Sequence, residues 1–509
     1  MPGKGSSAVG IPSLPSGPET AERVRSRARG SRYGGVVLLL RASETQLDRR
    51  TLGTVVGFAL LVRLITLAAA WDDPVVGDAL FYSEAGNLLA EGNGFVNPFA
   101  GASGLVPSAA HPPLFTTYLS AWSFLGADTT NWHRIASILL GTATVGLVAA
   151  SAAHVGGRRA ALVAGGLAAA WPNLWYWEVG IYAEALASTF VAAFTLASLR
   201  FFASPSRGRL LIVAVTVALA ALTRAELVLL AVALIPMVAV VAGISRAIKA
   251  GWLGAAALTI AVTIAPWAAY NSTRFDRPVP LSHGLGLVLI GSNCDAAYYG
   301  SKIGYWWYGC SLASSNSAGV LPTDDPSEQD ALKRRVAVAY ALDHPTRLPA
   351  VAGARAARYF GLWSPWQAAR LADTQEGMER DVNYAAQLAW LVGIGMAVVG
   401  GRKLHRDGTR LLPLLAAPTV GVVTAVLIYA VIRFRAPTEP PVIILAAVGV
   451  LHLLDWRAPT RGAAQRDPTP TPRRVIVKRA ELDDQRPPVP RPVIISKRSD
   501  AAGQGPNHA

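Results

Sequence analysis

The chain has 509 residues, 52% of them hydrophobic and only 16% charged, a balance that excludes an ordinary soluble globule. Its formal charge of +15 invites a nucleic-acid reading. The basic residues, however, sit in short links between apolar runs and not on one contiguous surface with a reading element, so no nucleic-acid partner is expected.

Residues 1–50 carry Arg23, Arg25, Arg27, Arg29, Arg32, Arg49 and Arg50 among Gly, Ser and Pro, and read as a largely disordered basic cytoplasmic segment. The apolar run 36–40 is too short for a cleavable signal peptide. Apolar blocks of roughly 15–22 residues follow, each long enough to cross about 30 Å of hydrocarbon as a helix. The clearest are 52–71, 135–155, 160–177, 185–199, 252–270, 385–400, 411–432 and 442–454. The stretch 210–242 is interrupted only by Thr223, Arg224, Ala225 and Glu226, and reads as two short crossings. The expected fold class is therefore an all-α polytopic membrane protein of about ten transmembrane helices, occupying 51–455.

Arg158 and Arg159, Arg207 and Arg209, Arg246 and Lys249, and the cluster Arg402, Lys403, Arg406 and Arg410 fall in every second link. That is the positive-inside pattern with both termini in the cytoplasm. It makes 113–126, apolar but short and opening on Pro112 and Pro113, an interfacial or re-entrant helix, because a full crossing there would flip every later basic link. Two large outer loops result, 72–133 and 271–384. Residues 456–509 read as a disordered Pro-rich basic tail, either solvated beside anionic lipid or carrying a docking motif in its near-repeat of 472–479 and 490–498.

The first outer loop has no Lys or Arg but carries Asp72, Asp73, Asp78, Glu84, Glu91 and Asp128. Asp78 opens a short amphipathic segment in which Tyr82, four residues on, shares its face. A carboxylate there is either a helix cap or a base held at the bilayer edge. Arg63, Arg134, Arg224, Arg433 and Arg435 all fall at the outer face by the same topology, against the usual bias. They read either as ligands for an anion such as phosphate, or as partners of carboxylates such as Glu226 and Glu439. In the second outer loop, Cys294 and Cys310 favour a disulfide over free thiols or a metal pair. They enclose Tyr298, Tyr299, Tyr305, Trp306, Trp307 and Tyr308, suited to sugar rings or to an interfacial belt.

Gly77-Asp78 with Tyr82, Ala85 and Gly86, then His111-Pro112-Pro113-Leu114 and His133-Arg134, form an ordered set. It continues through Ile181-Tyr182-Ala183-Glu184, Leu222-Thr223-Arg224-Ala225-Glu226 and the run from Arg433 to Pro440. This set resembles the GT-C glycosyltransferases related to protein O-mannosyltransferases and to the aminoarabinose transferase of lipid A, and the segment around Cys294 resembles a subset found in high-GC Gram-positive bacteria. The resemblance implies transfer of a sugar from a polyprenyl-phosphate carrier to a cell-envelope acceptor on the outer face, with inversion. It implies Asp78 as general base, with His111, Arg134, Arg224, Arg433 and Arg435 on the donor phosphate. Tyr82, Tyr182, Glu184 and Glu226 would contact substrate. Where the aminoarabinose enzyme resembles Lys-Pro-Pro this chain has His111, a weaker anion ligand near neutral pH. Protein O-mannosyltransferases show an Asp-Glu pair where this chain has Asp78-Ala79, which leaves the acceptor open among glycan, lipid and protein.

The chemistry agrees with that implication on its own terms. Breaking a sugar–phosphate bond needs a carboxylate for the acceptor proton and cations on the departing phosphate. No Gly-rich nucleotide loop is present, which suits a lipid-linked donor. No cofactor is required by this kit; one loop carboxylate with His111 leaves a divalent metal open. A transporter or flippase of an anionic solute, or a non-catalytic scaffold, are the other readings, and the first of these predicts inverted repeats that are not visible.

Overall fold

A computed structural model describes residues 47–100, 104–311 and 325–457. The basic N-terminal segment and the Pro-rich tail lie almost wholly outside these residues. The described chain is helical, with one isolated antiparallel bridge between Val96 and Pro107.

Every apolar block of the sequence is helix. Helix α1 (Arg49–Ala69) starts where Asp48 caps it, accepting from the Thr51 amide at 2.9 Å and the Thr51 hydroxyl at 2.7 Å. Residues 72–133 supply α2 (Gly77–Ala90) and α3 (Leu114–Phe124). With 11 residues, α3 is too short to span hydrocarbon.

Helix α4 (Thr130–Ala170) contains a reversal at Gly157, whose φ of 69° lies in the left-handed region. On one arm Ile138 packs with Leu67 and Gly146 faces Val56. On the other, Arg158 bonds Thr51, Gly165 abuts Val55 and the Ala169 carbonyl meets Arg63. The two arms therefore run in opposite directions along α1, as two separate apolar blocks should.

The chain continues through α5 (Pro172–Val179), α6 (Glu184–Ala203) and α7 (Arg207–Ala221). After the polar break at 223–226, a 3-10 turn (Ala225–Ala233) runs into α8 (Leu234–Ala239). Next come α9 (Arg246–Ser272), the shorter helices α10 (Leu285–Ser292), α11 (Pro326–Asp343), α12 (Leu348–Tyr359) and α13 (Pro365–Glu376), and then α14 (Arg380–Arg406), α15 (Leu412–Leu427) and α16 (Glu439–Arg457).

Among the described residues six helices are long and apolar enough to cross a membrane, and the apolar helices Ala225–Ala239 and Leu412–Leu427 are shorter. Cys294 and Cys310 form a disulfide. It closes a small core of Ala297, Tyr298, Ile303, Val351 and Ala354 that docks the disulfide-bearing segment on α12.

Candidate active site

The site forms where the segment 72–133, the polar break after α7 and the turn before α16 meet. Asp78 lies in the first turn of α2, whose N-cap is Val76 with no side-chain capping bond, and it faces cations. Its Oδ2 is 2.8 Å from Arg433 Nη1, and its Oδ1 is 3.8 Å from His111 Nε2. Arg433 also donates from Nε to Glu184 at 2.7 Å and covers the Tyr182 ring at 4.3 Å. Arg224 donates to Glu184, and from Nε to Glu226 at 2.6 Å, with its guanidinium 4.1 Å above Phe434. Glu184, in the first turn of α6, is the shared hub, and its side chain is 0% exposed.

Tyr82 is buried between His111, with ring centroids 4.8 Å apart, and Phe115, at 5.0 Å. The edge of Phe81 meets His111 at 5.0 Å. Asp78, Phe81 and Tyr82, within one turn of α2, thus all meet the His111 imidazole.

Electrostatics follows from this packing. Burial pushes the Asp78 carboxyl up, but Arg433, His111 and Arg224 outweigh it and hold it at about 2. Burial and the neighbouring guanidinium groups push His111 below its ordinary value, against the pull of Asp78. Burial, with the nearby Asp78 and Glu184 charges, raises Tyr82 well above its ordinary value. At neutral pH the polar end thus holds an ionised Asp78, a neutral Tyr82 and two fixed guanidiniums.

These groups open into a cavity of about 1210 Å³. Asp78, Tyr82, His111, Tyr182, Arg224, Glu226 and Arg433 line its polar part, and Leu285, Leu287, Val288, Leu427, Ile428 and Trp306 are among its apolar walls. An anionic head with a long apolar tail matches such a space. Among the described residues no three His, Cys, Asp or Glu side chains converge as a cation site.

Residues 110–270 match the family model of dolichyl-phosphate-mannose-protein mannosyltransferases. The match takes in His111, Arg134, Tyr182, Glu184, Arg224 and Glu226, so the resemblance read from the sequence holds across that segment; Asp78 and Arg433 lie outside it. No curated protein sequence matches the chain. Among solved structures, ArnT from Cupriavidus metallidurans bound to undecaprenyl phosphate aligns at 15% identity, covering 78% of this chain and 77% of that one with a TM-score of 0.37. The archaeal oligosaccharyltransferase AglB from Archaeoglobus fulgidus, in complex with an inhibitory peptide and a dolichol-phosphate, aligns at 13% identity with a TM-score of 0.47. That alignment covers 80% of this chain and 50% of AglB, so the chain spans about half the oligosaccharyltransferase.

Not every arginine of the outer set reaches the cavity. Arg63 turns into the bundle and pairs with Glu178, Nε to Oε2 at 2.6 Å. Arg134 gives its donors to the Trp71 carbonyl at 3.0 Å, the Asp73 carbonyl at 2.7 Å and Asn131 at 2.9 Å, fastening the turn after α1. Arg435 binds Glu439 at 2.6 Å and covers Trp390 at 4.3 Å. Glu439 in turn accepts from Asn173 at 2.8 Å and from Trp171 at 2.5 Å. Arg134 and Arg435 do not line the cavity, so the phosphate contact expected of them is not set up here. Both are spoken for by fold contacts within their own reach. Sequence reasoning missed Phe434 beneath Arg224 and Glu178 opposite Arg63. Each meets its partner only through tertiary folding, although the polar residue Glu178 at the edge of an apolar block was a visible signal.

Proposed function

We propose that the chain is a membrane glycosyltransferase that moves a sugar from a polyprenyl-phosphate donor to an acceptor hydroxyl of the cell envelope on the outer face. The observation that carries the reading is Asp78 held 2.8 Å from Arg433 at the polar end of a cavity with apolar walls. The isoprenoid lies along the apolar walls, and the donor phosphate meets Arg433, Arg224 and His111. The acceptor oxygen attacks the anomeric carbon, its proton passes to Asp78, and the carbon–oxygen bond to phosphate breaks, releasing polyprenyl phosphate. A single displacement inverts the anomeric centre.

Asp78 at about 2 is a weak base while Arg433 neutralises it. Donor phosphate competes for Arg433 and so raises the basicity of Asp78 as the complex forms. The base is thereby switched on by the substrate it serves. Tyr82 and Tyr182 frame the sugar, Glu226 positions Arg224, and Glu184 aligns both guanidiniums. The matched family segment includes His111, Glu184, Arg224 and Glu226 of this site, and to that extent supports the same reading.

The test is turnover. Purified protein in lipid nanodiscs, given a polyprenyl-phosphate sugar and a hydroxyl acceptor, should release polyprenyl phosphate and form a product of inverted configuration. Binding of the lipid without any bond cleavage, across donors and acceptors, would contradict transfer.

A further inference from the structure

Hydrogen bonds to His283, in the segment 271–384, hold the segment that carries His111. The His283 amide donates to the Ala109 carbonyl at 2.9 Å, and the Ala109 amide donates back to His283 Nε2 at 3.0 Å. A backbone amide is a fixed donor, so Nε2 must present its lone pair and the neutral ring carries its proton on Nδ1. Immediately beyond, a Cβ at Gly284 would come within 2.8 Å of the Ala110 carbonyl oxygen. The two loops therefore touch backbone to backbone at 109–110 and 283–284, one residue from His111. Ala109 is 2% exposed and shares its apolar cluster with Phe275, Val279 and Trp267, so the clamp is anchored and dry. Leu114 is fastened likewise, donating to the Leu222 carbonyl at 3.0 Å beside the Thr223–Arg224 break.

We infer that His283 is a positioning residue for His111: its imidazole and amide fix segment 108–111 so that His111 faces Asp78 and the incoming phosphate. The inference rests on the proposed role of His111. The charged and titratable groups that act on His283 are His111 on the clamped segment, Arg274 at the end of α9 and Asp325 at the cap of α11. Burial holds the His283 imidazole down at about 4, with its own backbone bond and Asp325 opposing and His111 and Arg274 reinforcing. Above that value the ring accepts from Ala109; protonation turns the acceptor into a donor and opens the clamp. Its folded-state pKa being depressed, the clamp contributes fully above the ordinary histidine value and is lost as pH falls through about 4.

The experiment compares His283→Ala, His283→Gln and Gly284→Ala in full-length protein reconstituted in nanodiscs. Gln can present Oε1 where Nε2 stood but does not titrate. In hydrogen–deuterium exchange, a readout independent of activity, the peptide containing Ala109 should exchange faster in His283→Ala and return to the wild-type rate in His283→Gln. With polyprenyl-phosphate sugar, His283→Ala and Gly284→Ala should raise KM for the donor roughly three- to tenfold, the size of one hydrogen bond, with a smaller change in kcat. His283→Gln should restore KM and abolish the loss of Ala109 protection toward pH 4. Unchanged Ala109 exchange in His283→Ala would overturn the clamp. Faster exchange with an unchanged donor KM would overturn its link to His111. A wild-type protein without transfer would refute the proposed function alone, because the exchange result stands apart from it. Should His283→Ala fail to fold, Gly284→Ala and His283→Gln still decide the matter by the same two readouts.

Discussion

The pair Arg63 and Glu178 offers the sharpest separation between arginines that build the fold and arginines that serve the site. Both side chains are out of contact with solvent, at 0% and 1% exposure, and they meet through two contacts of 2.6 and 2.9 Å. Glu178 also lies so close to Gly141 that any side chain there would displace the carboxylate. Removing one partner leaves an uncompensated buried charge, which costs roughly 3–5 kcal/mol. Replacing both by apolar residues of similar volume is often neutral or stabilising. Arg63→Met and Glu178→Met should therefore each lower the thermal midpoint of the purified protein, read by tryptophan fluorescence, while the double variant recovers most of the loss. The coupling in this cycle should therefore exceed about 3 kcal/mol, the usual upper range for contacting residues. The double variant should also keep transfer activity, because neither side chain lines the cavity. A double variant no more stable than the worse single variant, or a stable Arg63→Met protein without transfer, would refute this division of roles.

Three further outcomes follow. Arg433→Ala should raise the donor KM strongly by removing a charge-assisted phosphate contact, roughly 1.5–3 kcal/mol, whereas Arg134→Ala should lower stability and leave donor KM near wild type; titration of both with lipid-linked sugar checks it. Cys294 and Cys310 are 16 residues apart, so their joint replacement by Ser should cost about 3 kcal/mol by the loop-entropy account; the thermal midpoint in oxidised and reduced buffer measures this. A cysteine at Thr273, at the mouth of the second outer loop, should react with an impermeant thiol reagent in intact cells, and one at Ser206 should not; the reverse pattern would invert the topology.

The helices were legible because lipid-spanning segments announce themselves by length and apolarity. Even the hairpin hidden in α4 was visible as two apolar blocks separated by Gly156-Gly157-Arg158-Arg159. The meeting of Asp78 with Arg433 was legible only as a chemical need, an anion site without cations of its own, since 355 residues separate the two. What sequence could not give was the sorting of the arginines. Arg63, Arg134 and Arg435 look like Arg224 and Arg433 in a linear reading, because carbonyls such as those of Trp71 and Asp73 and carboxylates such as Glu178 and Glu439 become their partners only once the helices pack. The clamp at His283 was invisible for the same reason: its two hydrogen bonds, one to the imidazole and one between backbones, join residues 174 apart.

The central claim is that Asp78 takes the acceptor proton, and single-turnover transfer by Asp78→Asn protein tests it most directly. The substitution keeps the shape of the side chain but removes the charge that Arg433 and His111 face. The folded, donor-bound variant should transfer sugar roughly 10²–10⁴ times more slowly than wild type while binding polyprenyl-phosphate sugar at least as well, since Arg433 is freed for phosphate. Transfer by Asp78→Asn at a rate near wild type, in protein shown to be folded and donor-bound, would mean that Asp78 only anchors Arg433 and that the base lies elsewhere.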